Sequence, residues 1–308
     1  MTLCGLHVPV VTPFTAAGRV DAGSLERLAR RCLDAGAEGL VALATTGEGG
    51  LLDEGERRQV LEVCRAVTIE YGAILTVGAG TMGTEESIAQ ARERAAMADA
   101  LLVVVPYYLR PTDEGVIDHF AAVGKAVDVP LIAYDIPYRT GKRLEFDSLL
   151  RLLDLECVAG VKHCPGAIGH DTLRLLAART GKAVLCGDDA YVHPMMLLGA
   201  AGAVTASACL VPDAYVALAG DLTPGCGRNT ELHDALLPLV DALFSEPSPS
   251  VLKAVLAETG VIEHPHVRAP LHAPAPGTVS RARACLEAVE EISGRPRRPR
   301  PRRAAGRR

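Results

Sequence analysis

The sequence predicts an α/β protein, a (β/α)8 TIM barrel with a C-terminal helical extension. Three observations lead to this prediction: eight short apolar runs rich in β-branched residues, a helix-like segment after each run, and a purely helical pattern from Asn229 to about Ser293. Strict alternation favours parallel strands that are buried on both faces, which explains why the apolar runs are continuous. Eight repeats favour a closed barrel, and an open doubly wound sheet is the alternative.

The predicted elements follow one another along the whole body of the chain. The strands are expected at 5–12, 39–44, 73–79, 100–105, 129–135, 157–163, 183–187 and 203–208. The helices are expected at 22–35, 53–70, 84–97, 113–127, 145–153, 170–179, 190–198 and 213–220, and those of the extension at 229–244, 249–260 and 277–292. Several of them begin with Asp, Ser or Thr, which cap helix N-termini. We divide the chain into a barrel with the active site at 1–222, a helical extension at 223–294 and a disordered Arg/Pro-rich tail at 295–308.

Composition and charge exclude several classes of protein. A hydrophobic content of 49% with 22% charged residues is typical of a globular protein, not of a disordered one. The net charge is −5, and the tail holds eight arginines and no acid, which we expect to be solvated and not bound to nucleic acid. The nine cysteines have no metal-ligand spacing and indicate reduced thiols in the cytoplasm. Pro9 and Pro13 interrupt the N-terminal apolar stretch, so neither a signal peptide nor a membrane span is expected.

One lysine stands out as a candidate nucleophile. The chain has five lysines, and four of them are expected to face solvent, namely Lys125, Lys142, Lys182 and Lys253. Lys162 instead lies near the C-terminal end of the sixth predicted strand, on the face where barrels build active sites. Burial there disfavours the ammonium form and makes a neutral amine available to attack a carbonyl. The alternative is a structural lysine paired with Asp188 or Asp189.

Polar groups are predicted to converge on the same rim. The fifth strand places Tyr134 and Arg139 there, and the second ends in a turn with Thr45 and Thr46. Chemistry at a Schiff base needs a proton carrier and an anchor for a substrate carboxylate, which a tyrosine hydroxyl and a guanidinium can provide. Taken singly, each group has an ordinary alternative as a core residue, a surface ion pair or a helix cap. Their convergence favours catalysis.

A glycine-rich segment, Gly78-Ala-Gly-Thr-Met-Gly, matches the pattern of a dinucleotide-binding turn. It belongs to the third βα unit and has no second cofactor signature, which makes a dinucleotide site the weaker interpretation. We therefore predict no cofactor and no metal.

Four motifs in order carry a resemblance to a known family: Thr45-Thr-Gly-Glu, Pro106-Tyr-Tyr, Tyr134-Asp-Ile-Pro-Tyr-Arg-Thr-Gly and Gly160-Val-Lys. With them the sequence resembles the dihydrodipicolinate synthase and N-acetylneuraminate lyase family over about residues 5 to 292. The resemblance implies a class I aldolase in which Lys162 forms a Schiff base with pyruvate. The first and third motifs together look like the members that condense pyruvate with aspartate 4-semialdehyde in lysine and diaminopimelate biosynthesis.

The resemblance also implies roles for single residues. Tyr134, Thr45 and Tyr108 match the family's proton relay, in which Tyr108 reaches into the site of a neighbouring subunit. The protein is therefore expected to be a homo-oligomer, a dimer of dimers.

Four further residues match the substrate contacts of the family. Thr46 corresponds to the hydroxyl that holds the pyruvate carboxylate, and Arg139 to the group that binds the carboxylate of the aldehyde. Gly187 and Val204 correspond to backbone contacts in the pocket.

Several positions depart from the family pattern. Ala44 replaces a glycine, and His163 stands where an acid commonly follows the lysine. Another pyruvate aldolase or a 2-keto-3-deoxy sugar-acid aldolase or dehydratase of the same family is therefore an alternative, and a non-catalytic keto-acid-binding relative is a second one. Feedback inhibition by lysine is not expected, because the corresponding positions also differ. These positions hold Gly49, Gly50, Glu54, Arg57 and Met82.

Overall fold

A computed structural model describes residues 3–220 and 227–294. Eight parallel strands form a closed barrel in which each strand pairs with the next and the eighth pairs with the first. The strands are β1 (Gly5–Pro9), β2 (Gly39–Ala42), β3 (Ile74–Ala79), β4 (Ala100–Val104), β5 (Leu131–Asp135), β6 (Val158–His163), β7 (Ala183–Cys186) and β8 (Gly202–Val204). The predicted (β/α)8 barrel with a C-terminal helical segment is confirmed.

Helices surround the barrel and form the extension. They are α1 (Ala22–Asp34), α2 (Glu54–Tyr71), α3 (Thr84–Ala95), α4 (Asp113–Lys125), α5 (Pro137–Thr140), α6 (Phe146–Asp154), α7 (His170–Ala177), α8 (Val192–Leu197), α9 (Pro212–Gly220), α10 (Gly227–Phe244), α11 (Ser250–Glu258) and α12 (Pro276–Ser293). The helix α2 shows how the local sequence determines where a helix begins and ends. Its N-terminus carries a capping box, in which Asp53 accepts from the backbone of Glu56 at 2.8 Å and Glu56 accepts from the backbone of Asp53 at 3.0 Å. Gly72 ends it with a φ of 63°.

Most strand predictions were slightly too long, and those for β1 and β8 extended three residues or more beyond the observed ends. β8 ends at Val204, and Ala206–Cys209 form a 3₁₀ helix. The buried carboxylate of Asp189 accepts hydrogen bonds from the backbone N–H of Ser207 at 2.6 Å and from its hydroxyl at 2.5 Å, which turns this segment out of the sheet. β1 ends at Pro9, and the Thr12 hydroxyl donates to a carbonyl of the second βα loop instead of continuing the ladder.

The apolar core has two layers. One layer lies between the strands and the helices, and the other fills the centre of the barrel. The central layer contains Val41, Leu102, Ile132, Leu185 and Val204. The barrel is therefore a packed interior whose functional groups lie on top of it, at the carboxyl ends of the strands.

The extension contributes a lysine to the interior. Lys253 on α11 is fully buried, so the prediction that it faces solvent is wrong. Its helix is buried on almost every side, since all residues from Ser250 to Leu256 are inaccessible. A helical period alone does not reveal this packing.

Some predictions concern residues that the structure does not describe. The proposed division between barrel and extension at 222/223 lies there, as do Cys226 and the whole 295–308 tail. The division into domains and the disorder of the tail stay predictions. The described cysteines are all free. No described helix has both the length and the apolar character needed to cross a bilayer.

Candidate active site

The centre of the site is Lys162, at the carboxyl end of β6. In the sheet it stands beside Tyr134 of β5 and Leu185 of β7. Only 5% of Lys162 is exposed, and its Nζ lies 4.3 Å from the centroid of the Tyr134 ring. The alternation of side chains along a strand directs both residues into the barrel.

The described residues do not show the alternative, a structural ion pair between Lys162 and Asp188 or Asp189. Asp188 accepts hydrogen bonds from the Tyr138 hydroxyl at 3.0 Å and the Gly166 backbone at 2.8 Å, while Asp189 is bound to Ser207. No ion pair within the described part of the chain includes Lys162. Its amine is therefore buried without a carboxylate in contact.

The protonation of Lys162 differs from the expectation. Burial is the largest influence and lowers its pKa, but the groups around it, first Tyr134 and then Cys164 and Asp189, raise it, and the net pKa lies above the ordinary value. The prediction that desolvation alone leaves a neutral amine is therefore wrong in its direction. The raised pKa favours the ammonium form of Lys162, which loses a proton before the amine can attack a carbonyl.

Tyr134 is the tyrosine that lies beside the Lys162 amine. Burial raises its pKa, while the charge of Lys162 and a hydrogen bond with Thr45 act in the opposite direction without cancelling the shift. Tyr134 and Lys162 also influence each other's pKa, as expected from an amine 4.3 Å from the ring centroid. Thr45, Tyr134 and Lys162 thus form a chain of polar groups from the turn after β2 to the amine.

Contacts with the C-terminal extension fix the turn that carries Thr45 and Thr46. Thr45–Gly47 form a 3₁₀ helix that ends at Glu48, whose φ is 53°. The Glu48 carboxylate lies 2.7 Å from the Lys253 amine and accepts from the backbone of Arg268 at 2.8 Å. Thr45 is exposed and Thr46 is buried. The extension therefore fixes the backbone that presents the two hydroxyls.

Gly187 is placed where a side chain would not fit. A Cβ there would lie 2.0 Å from the Cys164 sulfur and 2.8 Å from Cε of Lys162. Glycine lets the backbone after β7 pass directly beside the lysine. Val204 lies in the central apolar layer together with Tyr134 and Cys164.

A cavity of about 710 Å³ opens above these residues. Thr45, Tyr134 and Arg139 line it, whereas Lys162, beside Tyr134, is not among the lining residues. Arg139 belongs to the short helix α5, which was not predicted, and is exposed. No carboxylate of the described residues pairs with it. Its guanidinium is available to an anionic substrate.

Tyr108 does not join the other site residues within one chain. It is 81% exposed and does not line the cavity, although its neighbour Tyr107 does. The Tyr108 backbone has a φ of 67° and donates a hydrogen bond to the carbonyl of Thr140 at 3.2 Å. Leu109 and Met82 are also exposed, at 64% and 45%. The loop after β4, which carries Tyr108 and Leu109, and the loop after β3, which carries Met82, thus both present apolar side chains to the outside.

His163 has a structural environment. Its Nδ1 lies 2.9 Å from the Asp135 carboxylate and its Nε2 lies 3.1 Å from the Thr172 hydroxyl, all of them buried. These contacts join the ends of β5 and β6 to α7. His163 thus points away from the cavity and replaces an acid without adding a group to the site.

The ion pair between Lys253 and Glu48 was missed by the sequence reasoning. Its only signal in the sequence is a lysine within an otherwise apolar helical segment, Val251–Leu256. The partner lies 205 positions earlier in the chain. No local pattern connects the two.

A buried lysine with a tyrosine and hydroxyls on the carboxyl-terminal face of a (β/α)8 barrel defines a class I aldolase. The model of the dihydrodipicolinate synthetase family matches residues 2–288 of the chain. The chain belongs to this family, and the resemblance inferred from the motifs is confirmed.

Individual relatives agree with this assignment. The 4-hydroxy-tetrahydrodipicolinate synthase of Neisseria meningitidis serogroup C is 36% identical over 296 residues, which cover 94% of this chain and 100% of the relative. The solved structure of the 4-hydroxy-tetrahydrodipicolinate synthase from Methylacidiphilum fumariolicum SolV has a TM-score of 0.89 at 28% identity, and covers 95% of this chain and 98% of that chain. A monomeric dihydrodipicolinate synthase variant has a TM-score of 0.87 at 30% identity, over 95% and 97% of the two chains.

Proposed function

We propose that this chain condenses pyruvate with L-aspartate 4-semialdehyde to 4-hydroxy-tetrahydrodipicolinate, in lysine and diaminopimelate biosynthesis in the cytoplasm. The observation that carries the proposal is the amine of Lys162, which is buried beside Tyr134 without a carboxylate in contact among the described residues. The names of the relatives supply the substrates.

The reaction begins at Lys162. Its ammonium loses a proton, and the amine attacks C2 of pyruvate to give a carbinolamine that loses water and becomes an imine. The imine loses a proton from the methyl carbon and becomes an enamine. Tyr134 and Thr45 are the groups proposed to carry these protons, because they form the polar chain that ends at the amine.

The second substrate enters in the next step. The enamine carbon attacks the aldehyde carbon of aspartate semialdehyde, and a carbon–carbon bond forms. The amino group of that substrate then attacks the imine carbon, closes the ring and releases Lys162 as a free amine. No step requires an electron acceptor or a cofactor.

Four residues are proposed to hold the substrates. Thr46 binds the pyruvate carboxylate, and Gly187 and Val204 offer backbone groups beside Lys162. Arg139 binds the carboxylate of aspartate semialdehyde, in support of which its guanidinium is exposed in the cavity wall.

Tyr108 is proposed to complete the relay of a second copy of the chain. Its exposure and that of the apolar residues Leu109 and Met82 support an interface between copies, and a dimer of dimers is the assembly we propose. A monomeric variant exists among the relatives, so sharing of the tyrosine must be tested directly.

Mixing two inactive variants tests this sharing. Lys162→Ala chains and Tyr108→Phe chains, combined under conditions of subunit exchange, should regain activity, because hybrid dimers contain one site with both an intact lysine and an intact tyrosine. Hybrids of Lys162→Ala with Tyr134→Phe serve as a control. Absence of recovery despite verified exchange would place Tyr108 outside the neighbour's site.

The substrate assignment is tested by a coupled assay of pyruvate with a panel of aldehydes. We expect turnover with aspartate semialdehyde to exceed that with sugar-derived aldehydes. The reverse order would assign the chain to a sugar-acid aldolase of the same family. Pyruvate binding without turnover of any aldehyde would indicate a keto-acid-binding relative.

A further inference from the structure

A part of the cavity away from Lys162 contains two arginines that lack acidic partners. Arg57 of α2 and Arg94 of α3 both line the cavity, together with Gln90 of α3. We call the part lined by Arg57, Gln90 and Arg94 the arginine lobe. None of these side chains has a role in the proposed condensation.

Each guanidinium in the arginine lobe is anchored on one side and unsatisfied on another. Arg57 donates to the carbonyl of Leu52, and Arg94 donates to the carbonyl of Gly78. The Nε atoms of both arginines are buried and have no hydrogen-bond partner among the described residues. A buried donor without a partner costs free energy, roughly 1–3 kcal/mol for a neutral group and more for a charged one. A ligand would remove this cost.

The charge of the arginine lobe is not balanced within the described part of the chain. Arg94 is only 5% exposed, and no described carboxylate forms an ion pair with Arg57 or Arg94. Arg268, whose guanidinium donates to the carbonyl of the cavity residue Leu51, differs because Glu56 pairs with it. Burial lowers the pKa of Arg94 to about 10, with Glu93 opposing and the nearby charge of Arg57 adding to the shift. Arg94 therefore stays positive at neutral pH, and the neighbouring charge of Arg57 repels it.

Two acids among the described residues line the same cavity: Glu48, which pairs with Lys253, and Glu86 at the rim. Glu86 lies eight residues before Arg94 on α3, about 12 Å along the helix axis at roughly 1.5 Å per residue. It is exposed, and its carboxylate lies 3.5 Å from the Thr81 hydroxyl. Solvent therefore screens its charge, and the buried end of the lobe keeps its positive character.

We infer that the arginine lobe binds a small oxyanion, with carboxylate or phosphate oxygens between Arg57 and Arg94 and a hydrogen bond from Gln90. Guanidinium groups favour such ligands because their N–H groups match the geometry of carboxylate and phosphate oxygens. The chemistry differs from that of a free amino acid, whose ammonium group would meet two positive side chains. The site is separate from Lys162, so binding does not depend on the Schiff base.

Calorimetric titration of the full-length protein tests this inference. Inorganic phosphate and malonate are the probes, at constant ionic strength and without pyruvate. Arg94→Gln and Arg57→Gln should each weaken binding of the preferred probe at least about tenfold, as expected for loss of a charge-assisted hydrogen bond. Arg94→Lys should retain part of the affinity. Preference for one probe separates a phosphate ligand from a carboxylate ligand.

Two exposed arginines on the same helices are matched controls. Arg58→Gln on α2 and Arg92→Gln on α3 remove the same charge from the surface and should change the affinity less than about twofold. Thermal unfolding of each variant shows whether it is folded. If Arg94→Gln does not fold, the titration of Arg57→Gln still decides the test. Absence of binding to the wild type, or an equal loss in variants and controls, overturns the inference.

Free lysine is a third arm of the titration. If lysine binds in a manner that requires both Glu86 and Arg94, while phosphate and malonate do not bind, the lobe recognises an amino acid and the inference of an anion site is wrong. Weak or absent lysine binding beside clear anion binding supports it.

Discussion

Lys162 and Lys253 are both buried, but their surroundings differ. The Lys253 amine lies 2.7 Å from the Glu48 carboxylate, 2.8 Å from the carbonyl oxygen of Thr12 and 4.1 Å from the centroid of the Phe14 ring. The Lys162 amine has Tyr134 beside it and no described carboxylate in contact. One amine is fully occupied by fixed acceptors, and the other is left for a substrate.

The pKa shifts of these two lysines contradict the simple rule that the lysine with the lowered pKa is the nucleophile. Burial lowers the pKa of Lys253 to about 8, and the charge of Glu48 only partly opposes this. The pKa of Lys162 is raised, although burial is again the largest single influence. A lowered pKa would select the wrong lysine. We propose Lys162 as the reactive lysine because its amine has no described carboxylate in contact and lies beside Tyr134.

Removal of the proton carrier should have the largest effect among the following predictions. Tyr134→Phe is expected to reduce turnover about 10²–10⁴-fold without unfolding the protein, the usual scale for a lost acid–base group. Steady-state kinetics and thermal unfolding measure the two properties. Tyr71→Phe, a surface tyrosine on α2, is the control and should keep near-normal turnover. Near-normal turnover in Tyr134→Phe would show that the ring only packs beside Lys162.

Removal of the structural lysine should affect stability more than chemistry. Lys253→Met leaves the Glu48 carboxylate buried without its cation, which is expected to cost about 3–5 kcal/mol in the free energy of unfolding. Turnover of the folded fraction should fall less than in Tyr134→Phe, because Lys253 acts only through the turn that carries Thr45. Denaturant unfolding and active-site titration separate the two effects. A larger loss of turnover than of stability would contradict the structural role.

A double variant should have the smallest effect. In Lys253→Met/Glu48→Gln the buried charge is removed together with its partner, so stability should recover relative to Lys253→Met alone. A double-mutant cycle with Glu48→Gln measures the coupling. Additive losses would show that the two side chains do not interact energetically and would weaken the comparison of the two lysines.

The sequence predicted those features that depend on local pattern. The alternation of apolar runs and helical segments led to the barrel, and the end of β6 placed Lys162 near Tyr134 without reference to distant residues. The burial of Lys253, the 3₁₀ helix at Ala206–Cys209 and the raised pKa of Lys162 depend on contacts between residues far apart in the chain. Their partners lie on other βα units or in the extension, where no periodicity points to them.

Some of the site could not be assembled from one chain at all. Tyr108 was assigned to the relay from the resemblance, yet it is exposed and does not line the cavity of its own chain. Its proposed role requires a surface of a second copy, and no periodicity of the sequence points to that contact.

Reductive trapping with pyruvate tests the central claim most directly. Borohydride reduces an imine to a stable secondary amine, so mass mapping of the treated protein reports which lysine reacted. We expect a single pyruvate-derived adduct on Lys162, which is lost in Lys162→Met and retained in Lys253→Met. An adduct on Lys253 or on a surface lysine such as Lys125, or no adduct on the active protein, would contradict the assignment of Lys162 as the nucleophile.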